Sequence, residues 1–251
     1  MMKKFAAAVI LFTRLPLWRL VSPSQEDYSD AVVFWPLVGW LTGGVTALAL
    51  IGFGTVLPAF PAVICALLVR VLLTGALHED GLADYCDGFG CGGGKEKILA
   101  VMKDSHIGTY GVIGLIFYFL LLVSLLASFP PFVAACAIFA ADPFGKLCAG
   151  QLTNFLQYAR PEGAKNRISY SRMGWGKLIF QIVCGVLPLF PLLALNPLFA
   201  FAAIAPVIAG LFLASMMWRK IGGYTGDCCG ATFLICELSM LIAISAIAYC
   251  R

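Results

Sequence analysis

Along most of the chain apolar positions do not alternate with polar ones; they run on, in stretches near the ~20 residues a helix needs to cross a hydrocarbon core. Seven such stretches are predicted as membrane-spanning helices, over about 31–57, 60–77, 110–129, 131–157, 176–194, 197–217 and 229–250. The turns near 58–60, 129–131 and 194–197 are short and uncharged, whereas every other connection carries charge. No repeat period, heptad or low-complexity tract stands out, and no stretch is long and polar enough for a soluble domain. The opening MMKKFAAAVILFTRLPLW has the basic start and short apolar centre of a signal peptide. Arg14, Pro16 and Arg19 break that pattern, and no small-residue cleavage site follows. The segment is read instead as an amphipathic helix in the cytoplasmic interface. The expected fold class is all-α: a polytopic integral membrane protein, one domain over 1–251, with about seven transmembrane helices plus the N-terminal amphipathic helix.

Composition agrees. The chain is 61% hydrophobic and 12% charged, with a mean hydropathy of +0.93, where soluble domains are about half apolar and roughly a quarter charged. The basic residues set the topology. Of 17 Lys and Arg, 14 fall in the N-terminal arm and the segments 78–109, 158–177 and 218–228. Threading seven spans puts all four on one side, which the positive-inside rule makes the cytoplasm. The lipid bilayer is the expected surroundings, specifically the cell inner membrane, and no nucleic-acid partner is expected. Ten cysteines imply no disulfide framework: most lie in apolar runs as small hydrophobes, and the rest have no zinc-site spacing.

Against so apolar a background, GALHEDGLADYCDGFG (75–90) concentrates Glu79, Asp80, Asp84 and Asp87. Asp80, Asp84 and Asp87 stand at i, i+4, i+7, so a helix continuing from 60–77 past the membrane surface would present all three on one face. Like charges on one face repel, and a cation resolves the conflict. Oxygen-only ligands suit Mg2+ or Mn2+, with Glu79 a weaker ligand because it is one position off that face. The glycines of GFGCGGGKEK do not have P-loop spacing and are read as a flexible turn. In MKDSHIGTYG (102–111), Lys103 offers a contact to phosphate and Asp104 a further carboxylate, with Asp104 or Ser105 doubling as a helix N-cap. YARPEGAKNR adds Arg160 and Lys165 for phosphoryl oxygens. IGGYTGDCCGA places a lone carboxylate, Asp227, beside glycine-rich backbone that a ligand can approach closely. The three cytoplasmic segments 78–109, 158–177 and 218–228 together form the expected active-site cap. Arg70, Asp142, Lys146 and Glu237 fall inside spans, where charges are costly; an Asp142–Lys146 pair at i, i+4 is the plainest account of two of them.

Taken in order, LFTRLP (11–16), FWPLVGWLTGG (34–44), GALHEDGLADYCDGFG, MKDSHIGTYG, YARPEG (158–163) and GGYTGDCCGA (222–231) resemble the adenosylcobinamide-GDP ribazoletransferases, or cobalamin synthases, nearly end to end. The resemblance implies that adenosylcobinamide-GDP and α-ribazole (or its 5′-phosphate) are joined with release of GMP, in a Mg2+-dependent reaction. On that reading Asp80, Asp84, Asp87 and Glu79 hold the metal, and Lys103, Arg160 and Lys165 steady the phosphates. Asp104, Asp227 and Asp87 are the catalytic carboxylates, with the choice of base between Asp104 and Asp227 left open. Docking of other cobalamin-assembly enzymes and a homo-oligomer are compatible with it. One departure stands: where family members often carry a Ser-Arg pair, this chain has ADPFGKLCAG with Asp142 and Lys146. A CDP-alcohol phosphotransferase is the nearest alternative, since Asp84, Asp87 and Gly88 match part of its motif, but Cys91 and Gly92 stand where Ala-Arg should follow. A cation-binding transporter is a further alternative, carried by the intramembrane charges.

Overall fold

A computed structural model of the protein describes residues 1–160, 170 and 172–250. The regular elements among these are helices, apart from an isolated bridge between Tyr158 and Tyr224. The chain opens with α1 (Met2–Phe12) and the short α2 (Gln25–Ser29), then α3 (Trp35–Gly54) and α4 (Ala59–Thr74). The polar segment forms α5 (Leu77–Gly90) and α6 (Lys95–Val101). Next come α7 (Thr109–Ser128), α8 (Pro131–Gly150) and the single turn α9 (Leu152–Phe155). One apolar segment is divided into α10 (Trp175–Val186) and α11 (Phe190–Leu195), and α12 (Ile204–Ile221) and α13 (Gly226–Tyr249) complete the bundle.

Among the described residues six helical segments are long and apolar enough to cross a bilayer: Ala31–Gly54, Thr109–Ser128, Pro131–Phe155, Trp175–Leu195, Pro197–Ile221 and Gly226–Tyr249. Each lies within a few residues of an expected span. The stretch 60–77 departs from expectation. Its helix, α4, has 16 residues, which at about 1.5 Å per residue spans about 24 Å, short of the ~30 Å hydrocarbon core. The chain then bends by 90° into α5. Gly75 and Ala76 make that bend with φ of +67° and +56°, a left-handed region that glycine enters freely and a side-chain-bearing residue does not. The expectation of one continuous helix carrying the acids out past the membrane is therefore corrected. Folding back lets α5 bury Leu82, Ala83 and Tyr85, which a helix projecting into water would expose.

As a separate helix outside the span, α5 lies across one end of the bundle, packed on α13 and α7. The α5–α13 crossing is close because small residues meet there. A β-carbon at Gly81 would stand 3.1 Å from the Asp227 carbonyl oxygen, and one at Gly230 would stand 3.3 Å from the His78 backbone. The uncharged turns gather at the opposite end, where Gly54 and Ala59 share a small cavity with Phe129 and Pro131. At the polar end α1 is tied down through Asp30, whose carboxylate accepts from Lys4 (2.6 Å) and from Lys177 of α10 (2.5 Å).

The intramembrane charges are paired. The expected Asp142–Lys146 pair forms on α8, and both members hydrogen-bond Thr42 of α3. Lys146 also sits 3.9 Å from the centre of the Phe233 ring. Arg70 of α4 pairs with Glu237 of α13 at 2.7 Å, and Tyr118 of α7 bonds both. Each pair thus locks helices together while neutralising charge that lipid would not tolerate.

Candidate active site

Three chain segments converge beside α5. The segment 218–228, expected as a loop, is mostly helix: α12 runs to Ile221 and α13 begins at Gly226, leaving only a short turn. Asp227 is therefore in the first turn of α13, behind an N-cap made by the Thr225 hydroxyl, which accepts from the Cys228 N–H. The turn is fixed from the side by the Tyr158–Tyr224 bridge, in which the Ala159 N–H donates to the Tyr224 carbonyl and the Tyr224 N–H to the Gln157 carbonyl. That bridge delivers the next residue, Arg160, to Asp227. Its guanidinium donates to the Asp227 carboxylate at 2.9 Å and to the Met102 carbonyl at 3.4 Å. Lys103 is thereby brought to the same rim, exposed to solvent. Lys165 lies outside the described residues.

The carboxylates divide into groups that their spacing did not distinguish. Asp84 faces Asp227 and Asp80 and has no hydrogen bond or ion pair among the described residues. Partial burial, and then the neighbouring Asp227, Asp80 and Asp87, push its carboxyl up to about 6, against the opposing pull of Arg160. Asp80 is exposed beside it and likewise unpartnered. Asp87 points elsewhere: its two oxygens accept from the Gly108 N–H (2.7 Å) and the Gly111 N–H (2.9 Å). It therefore caps α7 from another helix, the task expected of Asp104 or Ser105, because Gly108 stands at the N-cap with no side chain of its own. Asp104 is on the outer rim, held by the His106 backbone N–H and ring, which keep its carboxyl below the usual range. Glu79 is buried, one oxygen without a partner, on the side of α5 nearer Arg70 and Tyr118. Among the described residues no three His, Cys, Asp or Glu side chains form a ready-made metal cluster.

Asp87→Ala is expected to cost about 1–2 kcal/mol through loss of the α7 cap, and Asp87→Asn, which keeps one acceptor, less. Thermal unfolding of the purified variants in detergent checks this; equal midpoints for all three proteins would refute the capping role.

Two further residues, Trp35 and His78, belong to this end of the bundle, and Trp35 was not singled out from the sequence. With Asp80 and Asp227 they line a pocket of about 200 Å3 between α1, α3, α5 and α13. His106 is at the surface, but His78 is 3% exposed. A larger groove of about 600 Å3 between α4 and α7 is lined by apolar side chains alone and lies away from these charges.

The family model for cobalamin-5-phosphate synthase matches residues 4–245. An adenosylcobinamide-GDP ribazoletransferase of Shewanella sp. (strain W3-18-1) is 37% identical over 241 residues, covering 93% of this chain and 90% of that protein. Proteins of the same name from Shewanella baltica (strain OS185) and Shewanella oneidensis are 36% identical over 241 residues, with the same coverage. No solved structure matches the chain.

Proposed function

The chain belongs to the cobalamin-5-phosphate synthase family, and from that premise we propose that it joins adenosylcobinamide-GDP to α-ribazole or its 5′-phosphate, giving adenosylcobalamin or its 5′-phosphate and GMP. The observation that carries this reading is the opposition of two carboxylates unpartnered among the described residues, Asp80 and Asp84, to the Asp227–Arg160 pair at one end of an apolar bundle.

The donor set fits magnesium. Mg2+ takes oxygen ligands and is usually held by one or two carboxylates, with waters and substrate phosphates completing the shell. Two free aspartates without a preformed cluster match that habit, so Asp80 and Asp84 are assigned to it. Asp87, engaged with α7, is a supporting neighbour, and Glu79 has turned inward. Bound there, the metal supplies positive charge to the diphosphate and to the departing GMP.

The chain's own residues do the rest. Lys103 and Arg160 hold phosphoryl oxygens, Arg160 being oriented by its bond to Asp227. A ribose hydroxyl of the ribazole attacks the phosphorus on the cobinamide side. The bond from that phosphorus to the bridging oxygen breaks, and GMP leaves with that oxygen. The hydroxyl's proton passes to a carboxylate, and Asp227 is the better acceptor of the two considered. It stands beside the unpartnered aspartates, whereas Asp104 is exposed and its hydrogen bonds from His106 make it a weaker base. The basic segments share this end of the bundle with the acids, which supports a site facing the cytoplasm from the inner membrane.

The test is release of GMP by purified protein in detergent from adenosylcobinamide-GDP plus α-ribazole, with and without Mg2+. One GMP per ribazole consumed, only with metal, is the expected result. Folded protein that releases none, but turns over CDP-alcohol substrates, would replace this reading with the phosphotransferase one.

A further inference from the structure

We propose that the pocket behind Asp80 and Asp227 is the binding site for the planar base of the ribazole, with the indole N–H of Trp35 as its specific hydrogen-bond donor; this rests on the reaction proposed above. The pocket is built from rings. Phe12 of α1 and Trp35 of α3 stack with centroids 4.9 Å apart and planes within 15°. Trp35 and His78 of α5 follow at 5.7 Å and 23°; behind that wall Phe233 of α13 backs His78 edge-on at 4.9 Å, and Gly226 and Gly230 of α13 are part of the lining. These residues come from four separate elements, so the box exists only in the folded bundle.

Its polar atoms are unsatisfied. Trp35 is 1% exposed and His78 3% exposed, yet among the described residues Trp35 Nε1 and His78 Nε2 have no hydrogen-bond partner. A buried polar group left so costs about 1–3 kcal/mol, and native proteins seldom carry two in one place unless something else completes them. An indole N–H can only donate, so what completes Trp35 must bring an acceptor on a flat apolar body.

That description separates the parts of the two substrates. The base of α-ribazole is a bicyclic aromatic whose free ring nitrogen is an acceptor and whose other nitrogen carries the sugar. Guanine bears donors and acceptors around most of its edge, more than the two buried nitrogens can satisfy, and the carboxylates at the rim of the pocket, Asp80 and Asp227, are those assigned above to the metal and the proton. A corrin ring far exceeds a space of about 200 Å3. A lipid chain would fill the space but leave both nitrogens unpaired. Connectivity agrees as well. A base seated against Trp35 directs its ribose to the part of the pocket lined by Asp80 and Asp227, where the attacking hydroxyl is needed, and His78 Nε2 is then available to a sugar hydroxyl.

The experiment compares α-ribazole with an analogue whose free ring nitrogen is replaced by CH, using equilibrium dialysis and steady-state kinetics on the full chain in detergent. In the wild type the analogue should bind about tenfold more weakly. Trp35→Phe, which keeps a flat ring and removes the N–H, should raise Kd and KM for α-ribazole about tenfold. The variant should not distinguish the two ligands, and KM for adenosylcobinamide-GDP should stay within about twofold. Leu77→Trp, on an exposed pocket residue, should weaken α-ribazole binding by obstruction without altering the buried rings, and keeps the test open if Trp35→Phe fails to fold. Equal binding of ligand and analogue to the wild type, or unchanged α-ribazole KM in both variants while GMP is still released, overturns the base site and leaves the reaction standing. Nitrogen-dependent binding without GMP release supports the site and overturns the reaction.

Discussion

Asp84→Asn should reduce GMP release by about 10²–10³-fold while leaving the protein as stable as the wild type, or more so. Few substitutions at a buried or half-buried position separate those two quantities, and the electrostatics of α5 explain why this one does. The Asp84 carboxyl is raised to about 6 by partial burial and by Asp227, Asp80 and Asp87, so its charged form is less comfortable in the folded protein than in the unfolded chain. For a carboxyl raised in this direction the charge opposes folding above its unfolded pKa, and the opposition is relieved as pH falls through about 6. Asparagine removes the charge permanently at nearly the same volume, and no hydrogen bond or ion pair is lost with it. What disappears is a ligand oxygen with its charge. Because metal must displace the proton, apparent Mg2+ affinity should also fall as the pH drops through about 6. Paired measurements of turnover and thermal unfolding in detergent decide the matter. Lost activity accompanied by a lower midpoint would make Asp84 a structural residue, and retained activity would remove it from the site.

The spans were legible because the length of an apolar run is itself the quantity a bilayer selects. The break between α4 and α5 was not. Gly75 permits a left-handed turn, but nothing in the identity of Ala76 announces a φ of +56°; the gain comes from burying α5 on α13 and α7, elements far along the chain. Asp87 was misgrouped for a related reason. Its spacing from Asp80 and Asp84 is what a shared ligand face requires, and only the fold reveals that Gly108 and Gly111, more than 20 positions on, present their N–H groups to it. Asp227 and Arg160 were each identifiable from composition, but the short backbone bridge that brings them together has no sequence signature. Trp35 and His78 stand 43 positions apart, and no spacing joins them until α1, α3, α5 and α13 are placed around them.

Breaking the Arg70–Glu237 pair should be the most damaging change to the bundle. Glu237→Gln removes the partner of a guanidinium that is 2% exposed, and a buried pair broken on one side costs about 3–5 kcal/mol because the surviving charge has no solvent to receive it. Tyr118 cannot compensate: its hydroxyl already accepts from Arg70 at 2.8 Å and donates to Glu237 at 3.0 Å. Removing both charges is a different perturbation. In Arg70→Met/Glu237→Leu no charge is left buried, and replacing a whole pair by apolar residues of similar size is often neutral or stabilising. Unfolding midpoints in detergent should therefore fall steeply for Glu237→Gln and recover in the double variant; a single variant as stable as the wild type would show that the pair does not clamp α4, α7 and α13. Activity adds what stability alone cannot. The triad lies beneath the inner side of α5, near Glu79 and away from Asp80 and Asp84. If it only holds the platform on which the acids stand, GMP release returns with the fold. Recovered stability without recovered turnover would instead give these buried charges a part in the chemistry at the membrane's edge.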